Sequence, residues 1–318
     1  MMARRLRVLG WRLLQTLPVA LLATFIVFGL LQLVPGDPAV TLAGESATVE
    51  RIAQIRAQYG LDRPLLVQYG AWVGHALQGD LSRSLLSGVE VRAAIARRLP
   101  DTLLIVLLAL GFAFAAGIPL GIAAAVRTGS VADAAVSGLA ALGVALPNFW
   151  LAMILISIFA VNLGWLPATG SANFAAQPID ALRHALLPAI ALGASGVAEV
   201  ARQLRGGLGE YLNAPAVRTL RAKGLSGAAI LWRHGVRNVG VTLLTVAGLL
   251  FNRMLGATVV IEAVFAVPGI GTLVVEAARN KDFPIVQGVV LMLVGMVILT
   301  NMLVDFLYVL VDPRVERP

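Results

Sequence analysis

Residues 202–238 read RQLRGGLGEYLNAPAVRTLRAKGLSGAAILWRHGVRN, and this stretch decides how the whole chain is read. Arg202, Arg205, Arg218, Arg221, Lys223, Arg233 and Arg237 stand against the single acid Glu210. Apolar runs near 185–207 and 239–265 flank the segment. Each is long enough to cross ~30 Å of hydrocarbon, which takes roughly 20 apolar residues. Cations concentrated between two spans mark the cytoplasmic side. Pro215 suits the first turn of a helix, where its missing N–H costs nothing. Gly224 suits the left-handed residue just beyond a helix. The segment Pro215 to Lys223 therefore reads as a two-turn helix, and Ser226 can cap a second short helix toward Arg233. A rigid helix held crosswise between two spans would pass force from a partner protein to both of them; a loop helix lying on the membrane surface is the plainer alternative.

Working outward, the 318 residues are 58% hydrophobic and 13% charged, with a mean hydropathy of +0.86. That composition leaves too little polar surface for a water-soluble globule and describes an integral membrane protein. The net charge of +8 and the pI near 10.9 come from basic residues flanking apolar runs. Such residues set topology, so no nucleic-acid partner is expected. Cysteine is absent, which excludes disulfides, thiolate metal sites and cysteine nucleophiles. His75, His184 and His234 lie far apart and give no metal-ligand spacing. The only lysines, Lys223 and Lys281, are followed by Gly224 and Asp282, so no G-x-x-x-x-G-K-[ST] phosphate loop is present.

Six stretches qualify as spans, near 10–34, 102–126, 134–161, 185–207, 239–265 and 285–311. Arg4, Arg5, Arg7 and Arg12 precede the first and place the N-terminus inside. An even number of spans returns Arg314 and Arg317 to the same side, so both termini are expected in the cytoplasm. The chain then divides into residues 1–34 with the first span, an extracytoplasmic loop 35–100, a core 101–311 that holds the cytoplasmic loop 208–238, and a tail 312–318. Within the outer loop, Glu50 to Tyr59 and Leu65 to Leu77 show apolar residues three and four apart, the pattern of short amphipathic helices. Pro18, Gly117, Pro119, Pro147, Gly193 and Gly196 fall inside spans and read as packing features, since neighbouring helices can satisfy the freed backbone groups.

Several blocks resemble one family. Val217-Arg-Thr-Leu-Arg-Ala-Lys-Gly-Leu225 is similar to the cytoplasmic coupling loop of ABC importer permeases, specifically the dipeptide/oligopeptide/nickel branch. Val34-Pro-Gly-Asp-Pro-Ala39, Gly143-Val-Ala-Leu-Pro-Asn-Phe-Trp150, Gly164-Trp-Leu-Pro-Ala-Thr-Gly170 and Val264-Phe-Ala-Val-Pro-Gly-Ile-Gly271 resemble the same branch, as do Tyr59 to Tyr69, Lys281 to Gly288 and Leu303 to Arg314. The resemblance implies an all-α membrane protein of the bacterial plasma membrane, the transmembrane domain of a type I ABC importer. Six transmembrane helices are implied, with a large extracytoplasmic loop after the first. It implies a pore-forming subunit that is no enzyme and carries no cofactor of its own. The implied partners are a second homologous permease, two cytoplasmic ABC ATPases that use ATP and Mg, and an extracytoplasmic substrate-binding protein. The implied cargo is di- or oligopeptides, with glutathione or chelated nickel as alternatives. Carried over residue by residue, the ATPase-coupling positions are Val217, Arg218, Thr219, Leu220, Arg221, Ala222, Lys223, Gly224, Leu225 and Ser226. The chain departs from the family at Pro215-Ala216, where an acidic-aromatic pair is usual, and at Val241-Thr242, where a proline is usual.

Arg253, beside Asn252, falls near the middle of the fifth span, where a charge facing lipid would cost at least ~2.5 to 3.5 kcal/mol. Both residues are translocation-pathway candidates: Arg253 would attract a substrate carboxylate, unless it serves a structural pair with a buried acid or helix carbonyls. Glu199 and Asp305 sit nearer the cytoplasmic ends of their spans and can meet Arg202 and Arg314. Met292 and Met296 read as packing, so no metal is expected. An ion-driven secondary transporter would show inverted repeats and buried acids near mid-membrane. A membrane-embedded enzyme would need a clustered acid, base or nucleophile. Neither pattern is read from the sequence.

Overall fold

A computed structural model of the chain describes residues 2–33, 37–43 and 47–311. Val34 to Gly36 of the first resembling block and the tail 312–318, with Arg314 and Arg317, lie outside the described residues. So do the side chains of Arg4, Arg5, Arg7 and Arg12. The helices are α1 Met2–Gln32, α2 Pro38–Ala43, α3 Val49–Tyr59, α4 Leu65–Leu77, α5 Val91–Val126, α6 Val131–Ala145 and α7 Asn148–Leu155, which continues as a π-helical turn, Ile156–Asn162. Then follow α8 Pro178–Asn213, α9 Pro215–Ala222, α10 Gly227–Ala229, a second π-helical turn Ile230–Gly235, α11 Val236–Val264, α12 Ile270–Arg279 and α13 Phe283–Val311.

Four helical stretches are long and apolar enough to cross a membrane: Val91–Val126, Pro178–Asn213, Gly227–Val264 and Phe283–Tyr308. The expected third span is a bent pair instead, Asp133–Gly143 and Asn148–Asn162 at 98° to each other, and counting it makes five. Its break is at Leu146, which is extended (φ −79°, ψ 126°) because the ring of Pro147 disfavours the helical region for the residue before it. The expected first span corresponds to α1, whose described side chains supply the shorter apolar stretch Thr16–Gln32. Pro18 and Pro188 stay inside α1 and α8, and α5 runs unbroken through Gly117 and Pro119.

The chain forms two compact units. One comprises the chain up to Pro100 together with Gly269–Leu299. Its core gathers Leu31, Val91, Ile95, Ile270, Ala277, Phe283, Ile285, Val286 and Val289. Gly288 lies so close to Val91 that a Cβ there would come within 2.4 Å of Val91 Cγ1. Buried Asp282 ties the loop after α4 to the start of α13 by accepting from the Ser84 hydroxyl and, at 3.0 Å, from the Leu85 N–H. The two amphipathic helices expected in this region are α3 and α4. Thr48 Oγ1 caps α3 by accepting from the Arg51 N–H at 3.3 Å, and Gly60 closes it in the left-handed region at φ +64°. On α4, Tyr69 packs edge-on to Phe25 and Phe28, with ring centroids 5.2 and 5.6 Å away, and its hydroxyl lies 2.9 Å from that of Thr24 on α1.

The second unit, Asp101–Pro268 with the chain from Thr300 on, is built round α8, which packs on α6, α7 and α11. Lipid tails are as apolar as leucine, so spans associate through small residues that let backbones approach closely. The buried side of α8 follows that rule with Ala181, Ala185, Ala189, Gly193, Gly196 and Ala201. A Cβ on Gly193 would stand 2.7 Å from the carbonyl oxygen of Ala109, and one on Gly117 would stand 2.9 Å from that of Val197. Leu303 and Phe306 on α13 and Leu249 on α11 are by contrast exposed. In a spanning helix such side chains face lipid or another subunit.

Candidate functional site

The segment between α8 and α11 is held by its own turn chemistry. Pro215 opens α9 with Ala214 as its cap residue, in extended conformation. At the other end the Gly224 N–H donates to the Arg221 carbonyl at 2.9 Å and the Leu225 N–H to the Leu220 carbonyl at 3.2 Å, with Gly224 at φ +82°. This paired closure is the Schellman stop, which satisfies carbonyls that a helix end leaves open. Ser226 Oγ then accepts from the Ala229 N–H at 3.3 Å and starts the next helical turn. The helix expected at Pro215–Lys223 and the cap expected at Ser226 both appear, the helix proper ending at Ala222.

Side-chain burial divides the expected coupling residues into two sets. Val217 is fully buried, and Leu220 and Leu225 are half-buried at the closing turn. Behind them Ile230 is buried, and Gly235 packs against Leu208 near the end of α8, where a Cβ would meet Leu208 Cδ2 at 3.1 Å. These apolar residues anchor the segment. Arg218, Thr219, Arg221, Ala222, Lys223, Gly224 and Ser226 are exposed. No carboxylate pairs with Arg218, Arg221 or Lys223 among the described residues. The segment thus offers a basic, polar face on an apolar footing.

A second group lies along α8, α11 and the end of α13. Arg253 is exposed and makes no ion pair with a described residue, though Glu199 on α8 is near enough to feel its charge. Glu199 itself pairs with Arg202 one turn along and accepts from the Gln203 amide at 3.2 Å. Nearby on α8, Gly196 packs against the side chains of Met254 and Leu250 on α11. Asn252 donates to the Asn301 side chain at 3.3 Å, and its own oxygen is buried without a partner. Asn252 thus faces Asn301 on α13, and the Glu199, Arg202 and Gln203 group lies on α8, whereas residues 217–226 stand as a separate patch.

Two buried polar ties were missed by sequence reading. Glu262 on α11 is fully buried and accepts from the Thr102 hydroxyl at 2.6 Å, joining α11 to α5. It lies two residues from the end of α11, away from mid-span, and an acid in an apolar run was the available signal. Asp133, at the start of α6, accepts from the Arg205 guanidinium and from the Gly129 N–H at 2.9 Å. Its signal was Ser130 three residues earlier, whose Oγ accepts from the Asp133 N–H.

Comparison with known proteins gives a consistent picture. Residues 117–317 match the family model of the binding-protein-dependent transport system inner membrane component, and residues 5–106 match the model of its N-terminal region. A putative peptide transport system permease protein of Brucella abortus is 41% identical over 305 residues, covering 96% of this chain and 97% of the relative. The oligopeptide transport system permease protein AppB of Bacillus subtilis is 35% identical over 308 residues, covering 96% of this chain and 98% of that protein. The glutathione transport system permease protein GsiC of Salmonella choleraesuis is 38% identical over 305 residues, covering 96% of this chain and 97% of that protein. Among solved structures, the inward-facing MetNI methionine ABC transporter superposes with a TM-score of 0.54 at 20% identity, covering 70% of this chain and 97% of the matched chain.

Proposed function

Because the chain belongs to the binding-protein-dependent transport system inner membrane components, we propose that it is the permease subunit of an ATP-driven importer and forms half of the path by which peptides cross the bacterial plasma membrane. Relatives named for peptide and oligopeptide transport support that cargo. A second homologous permease supplies the other half, an extracytoplasmic binding protein delivers the peptide, and two cytoplasmic ATPases bind ATP with Mg and hydrolyse it. The basic flanks of the spans support a cytoplasmic position for both termini and for the segment between α8 and α11.

The observation that carries this reading is the construction of residues 214–226. A helix stopped at both ends by backbone chemistry, footed on buried Val217, presents cations that pair with no carboxylate among the described residues, between two spans. Movement of an ATPase gripping that face would tilt α9 and reach α8 and α11 together. Alternating access then requires two packings of the spans, each favoured by a different bound state of the ATPases. With Ala222 or Ser226 changed to cysteine, crosslinking to the ATPase in the assembled complex is expected to change with nucleotide. No crosslink in any nucleotide state would overturn the assignment.

Along the path, Arg253 is the group proposed to meet a peptide carboxylate, with Asn252 beside it. Its exposure and its lack of an ion-pair partner among described residues support this over the purely structural pair. Arg253→Ala should lower transport of free-acid peptides more than of their C-terminal amides, in vesicles whose complex remains assembled. Equal loss for both would remove the carboxylate role. A relative named for glutathione transport makes that tripeptide a second cargo worth assaying.

A further inference from the structure

A cavity of about 520 Å³ opens within the first unit, between the end of α1, the α3–α4 turn, one face of α4 and the start of α13. Its size lies in the range of small-molecule sites, ~300 to 1,000 Å³. Phe28, Trp72 and Phe283 give it an aromatic wall. No acidic side chain is among its described lining residues, whereas Arg63, Arg83 and His75 are. Two of those groups are already engaged: Arg83 pairs with Glu90 at 3.1 Å, and the His75 ring lies 3.7 Å from the Asp80 carboxylate. Arg63 has no carboxylate partner among the described residues.

The remaining donors point the same way. The Trp72 indole N–H is screened from solvent and has no acceptor. Leaving such a donor unpaired costs about 1 to 3 kcal/mol, so a ligand that supplies an acceptor recovers that energy. The turn that carries Arg63 is held in place, because the Gln68 amide donates to the Arg63 carbonyl at 2.8 Å and to the Leu61 carbonyl at 3.3 Å. A carboxylate accepts only, and Arg63 and the Trp72 indole donate only. An apolar group attached to that carboxylate would lie on the aromatic wall. A diacyl lipid would need a long apolar slot as well, which a space of this size does not provide.

We propose that this cavity is a carboxylate subsite that takes the C-terminal end of a small peptide with an apolar last side chain, Arg63 pairing with the carboxylate and the Trp72 N–H donating to it. The choice of a peptide as ligand rests on the importer reading above. The test uses the assembled complex in lipid nanodiscs without binding protein or nucleotide. The probes are radiolabelled Ala-Ala-Phe and its C-terminal amide, with a short-chain phosphatidylglycerol as competitor. The free acid should bind about tenfold more tightly than the amide, as expected for loss of a hydrogen bond to a charged group. Arg63→Gln should bring the acid down to the amide's affinity and leave the amide unchanged; Trp72→Phe, which keeps the ring, should fall between. Equal binding of acid and amide, or indifference to Arg63→Gln, would overturn the subsite, and so would displacement of the peptide by the phospholipid at equal concentration. ATP-driven uptake with the binding protein separates the two readings. Peptide uptake without Arg63-dependent binding defeats the subsite alone, and carboxylate binding without peptide uptake defeats the importer reading alone.

Discussion

The seam between α5 and α8 and the segment that carries α9 are both rich in glycine or short turns, yet they use them for opposite ends. Along the seam, Gly117 and Gly193 exist to have no side chain: a Cβ at either would press on a backbone carbonyl of the other helix at 2.9 and 2.7 Å. In the α9 segment, Gly224 has open space around it and is needed for its φ of +82°. One region holds the chain to itself; the other shapes the face proposed to meet the ATPases. Substitutions should therefore damage stability in the first and communication with partners in the second.

The largest stability loss is expected at the seam. Gly193→Ala and Gly117→Ala should each cost about 1 to 3 kcal/mol, since a carbonyl fixed in a helix cannot step aside as a flexible side chain can. Thermal melting of the assembled complex in nanodiscs would show it. Unchanged melting would mean that α5 and α8 pack less tightly than described. Close behind comes Glu262→Ala, which removes the carboxylate that accepts from the Thr102 hydroxyl and should cost about 1 to 3 kcal/mol, while Glu262→Gln keeps an acceptor and should cost less. If alanine and glutamine melt alike, the hydrogen bond from Thr102 is not what holds α11 to α5.

What was legible in the sequence follows the same division. The start and stop of α9 could be read because they depend on neighbours in sequence: Pro215 at the first turn, Gly224 past the last, Ser226 capping the next. Prolines in the spans were harder, since the same residue type has two outcomes. Pro119 stays inside α5, where Gly117 and Gly121 lie close against α8, and Pro147 splits the third span, where a Cβ on Gly143 would meet its neighbours on α8 only at 3.4 and 3.5 Å. Which outcome prevails depends on a helix distant in sequence, and a single chain does not display it. Glu262 escaped notice for a related reason: its hydrogen-bond donor, Thr102, lies 160 positions away. The separation of α3 and α4 was readable from periodicity, but the cavity beside them was not, because its wall draws on α1 and α13 as well.

A smaller stability effect, with a larger functional one, is expected at the closing turn. Gly224→Val forces a branched side chain into the left-handed region at a cost of about 1 to 2 kcal/mol. That cost is local, since the surrounding space is open. The Schellman stop would loosen while the spans remain packed. ATP hydrolysis by the complex should persist and peptide uptake should fall, measured side by side in the same proteoliposomes. Parallel loss of both activities, with a lower melting temperature, would show that the turn supports the fold as the seam does.

The smallest effect on stability belongs to the exposed cations. Arg218 and Arg221 touch no carboxylate in the described chain, and surface substitutions of that kind stay within about 0.5 kcal/mol. The double variant Arg218→Ala with Arg221→Ala should therefore melt with the parent. Its transport should nevertheless drop, and the drop should resemble that of the parent at high salt, because exposed charge pairs with a partner are screened as ionic strength rises. A variant whose transport matches the parent at every salt concentration would show that α9 is gripped through its shape alone. The apolar footing of Val217 would then matter more than the charges it presents, and Val217→Ala would become the substitution that separates anchoring from contact.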